Sequence, residues 1–268
     1  MRVHFIRAPK PRNAVLEELY ELLRRRDLEV SESLPDLAAA ELDMAPRHDL
    51  YVLKASTALP LGVAGILHHR GARLLNSYWS CTTVVNKFVA TAMLRRAGIP
   101  APRSWAASDV TRLDPREFGD RLPLIVKPFD GIGSRDVRLV RDRTELAALA
   151  PDGGPVLIQE FVPGCDRRYK VHCVGDEVFA TSKPFSLGGD PSDGEACGVS
   201  DEMRSIARRV GRLFGMALYG LDVLVGPNGP IVVDVNSFPG YGGVPGAAVA
   251  LADYIERYAR SPLEMTAR

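Results

Sequence analysis

No CxxC pair and no HExxH motif occur in this chain. Its four cysteines (Cys81, Cys165, Cys173 and Cys197) and five histidines are scattered through 268 residues, which excludes the common zinc centres. The cysteines read as buried or incidental thiols in a reducing cytoplasm. There is no excess of charge either: 34 basic against 33 acidic residues leave a net charge of +1, and no general basic field favours nucleic acid. Long apolar runs are missing too. "TALPLGVAGILHH" offers about a dozen residues, broken by Pro60 and two glycines, too few to span a bilayer. The opening "MRVHFIRAPKPRN" carries a charge at position 2 and reads as a first strand, not a signal peptide.

What is present is ordinary globular material, 46% hydrophobic and 25% charged, in a chain long enough for two or three packed units. Residues 2–7 alternate as a strand, and "NAVLEELYELLRRRD" has helical spacing. "DLYVLKA" and "ARLLNS" read as strands with a helix over "LPLGVAGILHHRG" between them. This alternation predicts a small parallel α/β unit over residues 1–80. A second unit, 81–158, opens on a helix over "TTVVNKFVATAMLRRAG", capped by Thr82 or Thr83 and closed by Gly98. Strands at 123–127 and 136–140 then flank a glycine loop, with a helix near 142–149. After "PDGGP" come five strand-like runs, "VLIQEFV", "RYKVHCVG", "EVFATSKP", "YGLDVLVGP" and "PIVVDVNSF", with a helix around 201–214 and another at the end. The third unit, 159–268, is therefore mainly antiparallel, and "VGDEV" and "GPNGP" are hairpin turns.

The stretch that carries chemistry is "GLDVLVGPNGPIVVDVNSFPG". Asp234 and Asn236 share one strand face, and folding the hairpin about its turn can bring Asp222 beside them. Three oxygen-bearing side chains among apolar neighbours suit a hard cation such as Mg²⁺, whose shell is completed by water and phosphate oxygens. The alternative, a solvated sheet face, is disfavoured by Val232, Val233 and Val235. Phosphate partners can come from "IVKPFDGIGSRDVRLV". Lys127 ends an apolar strand, and the 129–135 loop, with Gly131 and Gly133, can turn backbone N–H groups onto phosphate oxygens. A tight turn is the simpler use of two glycines. Lys87 is a further cation, for which solvent exposure is the default.

At this point the chain resembles the ATP-grasp superfamily. "KFVATAMLRRAGIPAPRSW", "IVKPFDGIGSRDV", "IQEFVPG", "YKVHCVGDEVFA", "GLDVLV" and "VVDVNSFPG" follow its order from about residue 75 onward, and the early part is most similar to the RimK-like carboxylate–amine ligases. The resemblance implies an α/β (α+β) fold in which two subdomains grip ATP behind the N-terminal unit. It implies that Lys87 and Lys127 contact ATP phosphates beneath a mobile loop carrying Gly131, Gly133 and Ser134. Gln159, Glu160, Phe161 and Val162 would form the adenine linker, with Asp166 either on the ribose or in a plain surface turn. Asp222, Asp234 and Asn236 would hold Mg²⁺, with Mn²⁺ as a substitute; in many relatives the middle ligand is glutamate.

The implied reaction moves the γ-phosphate to a carboxylate and lets an amine attack the acyl phosphate, on a small-molecule or peptide substrate. Lys170 stands where the ligases carry an arginine, with Arg135 and Lys183 as further catalytic cations. An Arg-x-Asn pair of the ligases is missing past the "GDEV" hairpin, which favours an alternative. "YKVHCVGDEV…SKPFSL" and "DVNSFPGYGGVPG" are similar to the inositol polyphosphate kinases, which phosphorylate a hydroxyl. Arg135, Arg167, Arg168, Lys170, His172 and Lys183 would then form a cationic pocket. Against it, "GSRDV" stands where that branch has its "SH" signature. The ligase is the preferred reading.

Overall fold

In the computed structural model, residues 1–110, 113–118, 120–129, 137–149, 154–187 and 194–261 are described. Three sheets organise them. The first is parallel, in the order β2-β1-β3-β4, built from β1 (Arg2–Arg7), β2 (Glu29–Ser33), β3 (Leu50–Lys54) and β4 (Leu74–Leu75). Helices α1 (Ala14–Arg25) and α2 (Ala58–His69) make the crossovers. Asn13 starts α1 by accepting from the Leu16 N–H, and Leu16, Leu19, Tyr20 and Leu23 form its buried stripe.

The helix expected from Thr82 onward begins earlier and is broken. Ser77 caps α3 (Tyr78–Val85) by accepting from the Ser80 N–H, and Asn86 caps a new helix, α4 (Lys87–Arg96), by accepting from the Val89 N–H. A side chain that competes for backbone donors interrupts the run and restarts it at Lys87. Gly98, at φ 65°, follows the end of α4 as anticipated.

The second sheet is antiparallel, in the order β5-β8-β6-β7, from β5 (Ser104–Ala107), β6 (Leu124–Pro128), β7 (Arg138–Val140) and β8 (Val156–Glu160), with α5 (Arg143–Ala147) after β7. The run "VLIQE" thus pairs with β5 and β6, not with the strands that follow it. The third sheet holds β9 (Arg167–Val174), β10 (Glu177–Pro184), β11 (Glu195–Cys197), β12 (Leu218–Gly226) and β13 (Gly229–Ser237). It is antiparallel throughout, in the order β11-β10-β9-β12-β13.

One face of this third sheet is apolar. Val171, Cys173, Tyr219, Leu221, Val223, Val232 and Val235 pack on Met203, Ile206, Ala207 and Val210 of α6 (Asp201–Phe214). Alternation along the strands therefore turns Arg168, Lys170, His172, Gly220 and Asp222 to the other face. The last helix, α7 (Ala247–Arg260), returns to the first sheet and shares a core with Val3, Phe5, Leu19, Leu50 and Val52. Buried Asn76 ties the same junction, accepting from the N–H groups of Ala217 and Leu218 at 3.0 Å each. The first and third sheets are thereby locked together beside the polar face.

Candidate active site

The polar face of the third sheet and the inner side of the second enclose a cavity of about 350 Å³. Its apolar end is lined by Ile125, Leu157, Phe161, Val162, Phe185 and Leu224, and its polar part by Lys87, Lys127, Arg168, Lys170, Asp222, Asp234 and Asn236. A cavity with an apolar end leading to cations and carboxylates can take a heterocycle at one end and phosphates at the other.

The carboxylates meet through a defect in the hairpin. From Gly226↔Gly229 the ladder runs regularly to Val223↔Val232, then shifts register, so that Asp222 pairs with Asp234 and Gly220 with Asn236. Val233 is the extra residue of a β-bulge. Its carbonyl accepts from Lys127 Nζ at 3.3 Å. Gly220, opposite Asn236, admits the close approach of Pro239, since a Cβ there would lie 2.9 Å from Pro239 Cγ.

Charge is tightly packed here. Arg168 Nη2 donates to Asp222 Oδ2 at 2.6 Å, while Asp222 Oδ1 is buried with no hydrogen-bond partner among the described residues. Burial pushes the Asp222 carboxyl up, but Arg168, Lys170 and Lys127 together hold it below its ordinary value. Asp234 goes the other way: burial and the neighbouring Asp222 charge raise it. Asn236 Nδ2 donates to Asp234 Oδ2 at 3.4 Å. Burial lowers Lys127, opposed by Asp234 and Asp222. An orphaned carboxylate oxygen, a second carboxylate with a raised pKa and an amide fit a hard divalent cation. Among the described residues no group of three or more His, Cys, Asp or Glu could hold a metal by itself, so phosphate oxygens would have to complete the shell.

The remaining expectations separate cleanly. Lys87 lines the cavity and reaches the Pro128 carbonyl at 3.5 Å. Lys183, Gln159, Glu160, Phe161 and Val162 also line it. The N–H groups of Glu160 and Phe161 already donate to Arg103 and Pro123 carbonyls at 2.9 and 3.1 Å, so among the described residues the linker donor left for a ligand is that of Val162. Asp166 is exposed and not part of the lining. Gly131, Gly133, Ser134 and Arg135 lie outside the described residues. Sequence reasoning gave Arg168 only a place in the kinase pocket, although it is two residues before Lys170 and shares its face. It also left out Lys54, whose signal is weaker still: a lone lysine closing an apolar strand.

Comparison with known proteins bears on the family and the fold. A family model described as an ATP-grasp domain matches residues 84–240. A probable alpha-L-glutamate ligase of Maridesulfovibrio salexigens is 31% identical over 71% of this chain and 69% of its own length. Among solved structures, a RimK domain ATP-grasp protein of Sphaerobacter thermophilus superposes with a TM-score of 0.75 at 20% identity, covering 96% of this chain and all (100%) of that one. The ATP-grasp ligase PsnB, complexed with a minimal precursor, Mg and ADP, gives a TM-score of 0.71 at 19% identity, with 96% and 97% covered.

Proposed function

Because the chain belongs to the ATP-grasp family, as a RimK-like carboxylate–amine ligase, we propose that it joins a substrate carboxylate to the amino group of an amino acid of the L-glutamate type. ATP-grasp ligases use ATP with a divalent metal. Here the adenine would lie against Phe161 and Val162, with the phosphates between Lys127, Lys87 and the carboxylate pair. The metal would sit on Asp222, Asp234 and Asn236, where it would neutralise phosphate charge. The observation that carries the reading is the Asp222–Asp234 pairing beside Lys127 and Arg168 in one cavity.

In the first step a carboxylate oxygen attacks the γ-phosphorus and the bond to ADP breaks, giving an acyl phosphate. Arg168 and Lys170 would bear the charge that develops on the transferring group. In the second step the amine attacks the acyl carbon, and phosphate leaves together with a proton. Lys170 in place of an arginine keeps the charge but gives up a bidentate fork. The donor of the carboxylate is a small molecule or a peptide; a precursor peptide held by PsnB in another of its structures favours the peptide.

Hydroxylamine added to the chain with ATP, L-glutamate and short peptides should trap a hydroxamate, and mass-resolved analysis should show a product one glutamyl unit heavier. A stable phosphomonoester formed without any amine would replace the ligase by the kinase alternative, which the ligase relatives reported above do not support.

A further inference from the structure

With strand order β2-β1-β3-β4, the first sheet has its topological switch point between β1 and β3. Ligands of open parallel α/β sheets sit outside the carboxyl ends of the strands at that point. Both strands end there on a cation, and the two are partners in the ladder, Arg7 with Lys54.

The crevice adjoins the active-site cavity through the segment 238–242. Lys54 Nζ donates to the carbonyls of Phe238 at 3.3 Å and Pro239 at 2.9 Å, just past Asn236. Asn13, in the loop after β1, donates to the Gly240 carbonyl at 2.8 Å, and Gly240, Tyr241 and Gly242 line the cavity. Lys170 is the ladder partner of Asp222, and its charge also acts on Lys54.

The charge there does not balance. Arg7 Nε is 2.9 Å from Glu32. Lys54 has no carboxylate within ion-pair distance among the described residues, and the charges acting on it, Arg7, Lys170 and Lys10, are all positive. Burial and this repulsion push its ammonium down to about 7. Arg7 is buried and also donates to the Lys10 carbonyl at 3.3 Å, which leaves Lys54, half-buried, as the cation without a carboxylate. A clamp on two carbonyls needs donors but no charge, whereas such a cation is stabilised by an anion.

We infer that the Arg7–Lys54 crevice receives a substrate carboxylate that takes no part in the reaction, the one beside the attacking amine of the amino-acid substrate. Lys127 and Lys87 line the cavity and serve the ATP phosphates in the ligase reading, which leaves this crevice to the second substrate. The inference rests on the ligase reading and assigns to Lys54 the choice of an amino acid over a simple amine.

The test is calorimetric titration of L-glutamate, L-glutamine and L-isoglutamine into the chain loaded with Mg²⁺ and a non-hydrolysable ATP analogue. Glutamine keeps the carboxylate beside the amine, while isoglutamine has it amidated. Loss of one charged hydrogen-bonding partner should weaken isoglutamine by about tenfold or more relative to glutamate, with glutamine much less affected. Lys54→Met should erase that discrimination while nucleotide affinity stays as it was, and Lys54→Arg should preserve it. Equal binding of glutamate and isoglutamine, loss of affinity for glutamine alone, no binding of any of the three, or a Lys54→Met variant that still discriminates would each overturn the inference. The hydroxamate trap judges the ligase reading separately, since acyl phosphate forms before any amine is needed.

Discussion

Asp222 and Asp234 stand opposite each other because Val233 is one residue more than the β12–β13 ladder can pair. In a regular hairpin closed at Gly226↔Gly229, Asp222 would face Val233, and the side chain of Asp234 would point to the opposite side of the sheet, towards α6. The bulge reverses that, and the carbonyl of the extra residue accepts from Lys127. One irregularity thus assembles the acid pair and anchors the neighbouring cation.

Replacing Asp234 by Asn should stabilise the nucleotide-free protein and weaken metal–nucleotide binding. The folded-state pKa of Asp234 is raised by burial and by Asp222. Its favourable contribution is therefore complete only below the unfolded pKa and is lost as pH rises through the folded one. At neutral pH the ionised form carries a cost that Asn removes, and relief of about 1 kcal/mol would raise Tm by roughly 2–4 °C. Scanning calorimetry with and without Mg-ADP checks both halves; a lower Tm with an undiminished response to Mg-ADP would refute the metal role.

Arg168→Met should be severely destabilising, by about 3 kcal/mol in chemical denaturation, because it leaves the buried Asp222 carboxylate without its closest partner. The double change with Asp222→Asn should recover most of that stability but none of the activity. A double variant no more stable than Arg168→Met would show that the arginine acts mainly through packing.

Lys127→Ala should keep the fold and weaken Mg-ADP binding by about tenfold or more, since phosphate oxygens leaving water need charged partners in the cleft. Equilibrium titration measures it. Unchanged affinity would reduce Lys127 to its bond with Val233.

Lys54 gives a pH signature in the nucleotide-free protein. Its folded pKa is pushed down to about 7 from an ordinary 10.5, with burial as the main cause. Between these values the unfolded chain binds more protons, so stability rises with pH. The stability of wild type relative to Lys54→Met should therefore increase from about pH 7 to about pH 9 in urea denaturation. A pH-independent difference would mean that the lysine stays charged in the crevice.

Local signals were enough for the α/β class, and the resemblance of the chain's ordered motifs to a known family supplied the ATP-grasp assignment and much of the cavity lining. Apolar periodicity marks β1, α1, α6 and α7, turn residues mark the β9–β10 and β12–β13 hairpins, and Lys127 and Asp234 each end or interrupt an apolar run. Asp166 fell outside the lining because a turn acid has no local signal for where it points. The break at Asn86 was hidden for a related reason: cap and helix interior differ only in which side chain takes the free N–H groups. What the tertiary structure alone decided depends on register and closure. The parity of the β12–β13 pairing, set by the bulge at Val233, puts Asp222 and Asp234 on one face. The docking of the first sheet on the third brings Lys54, more than a hundred residues away in sequence, onto the carbonyls of Phe238 and Pro239. No local pattern encodes either one, because both arise from how separately formed surfaces fit together.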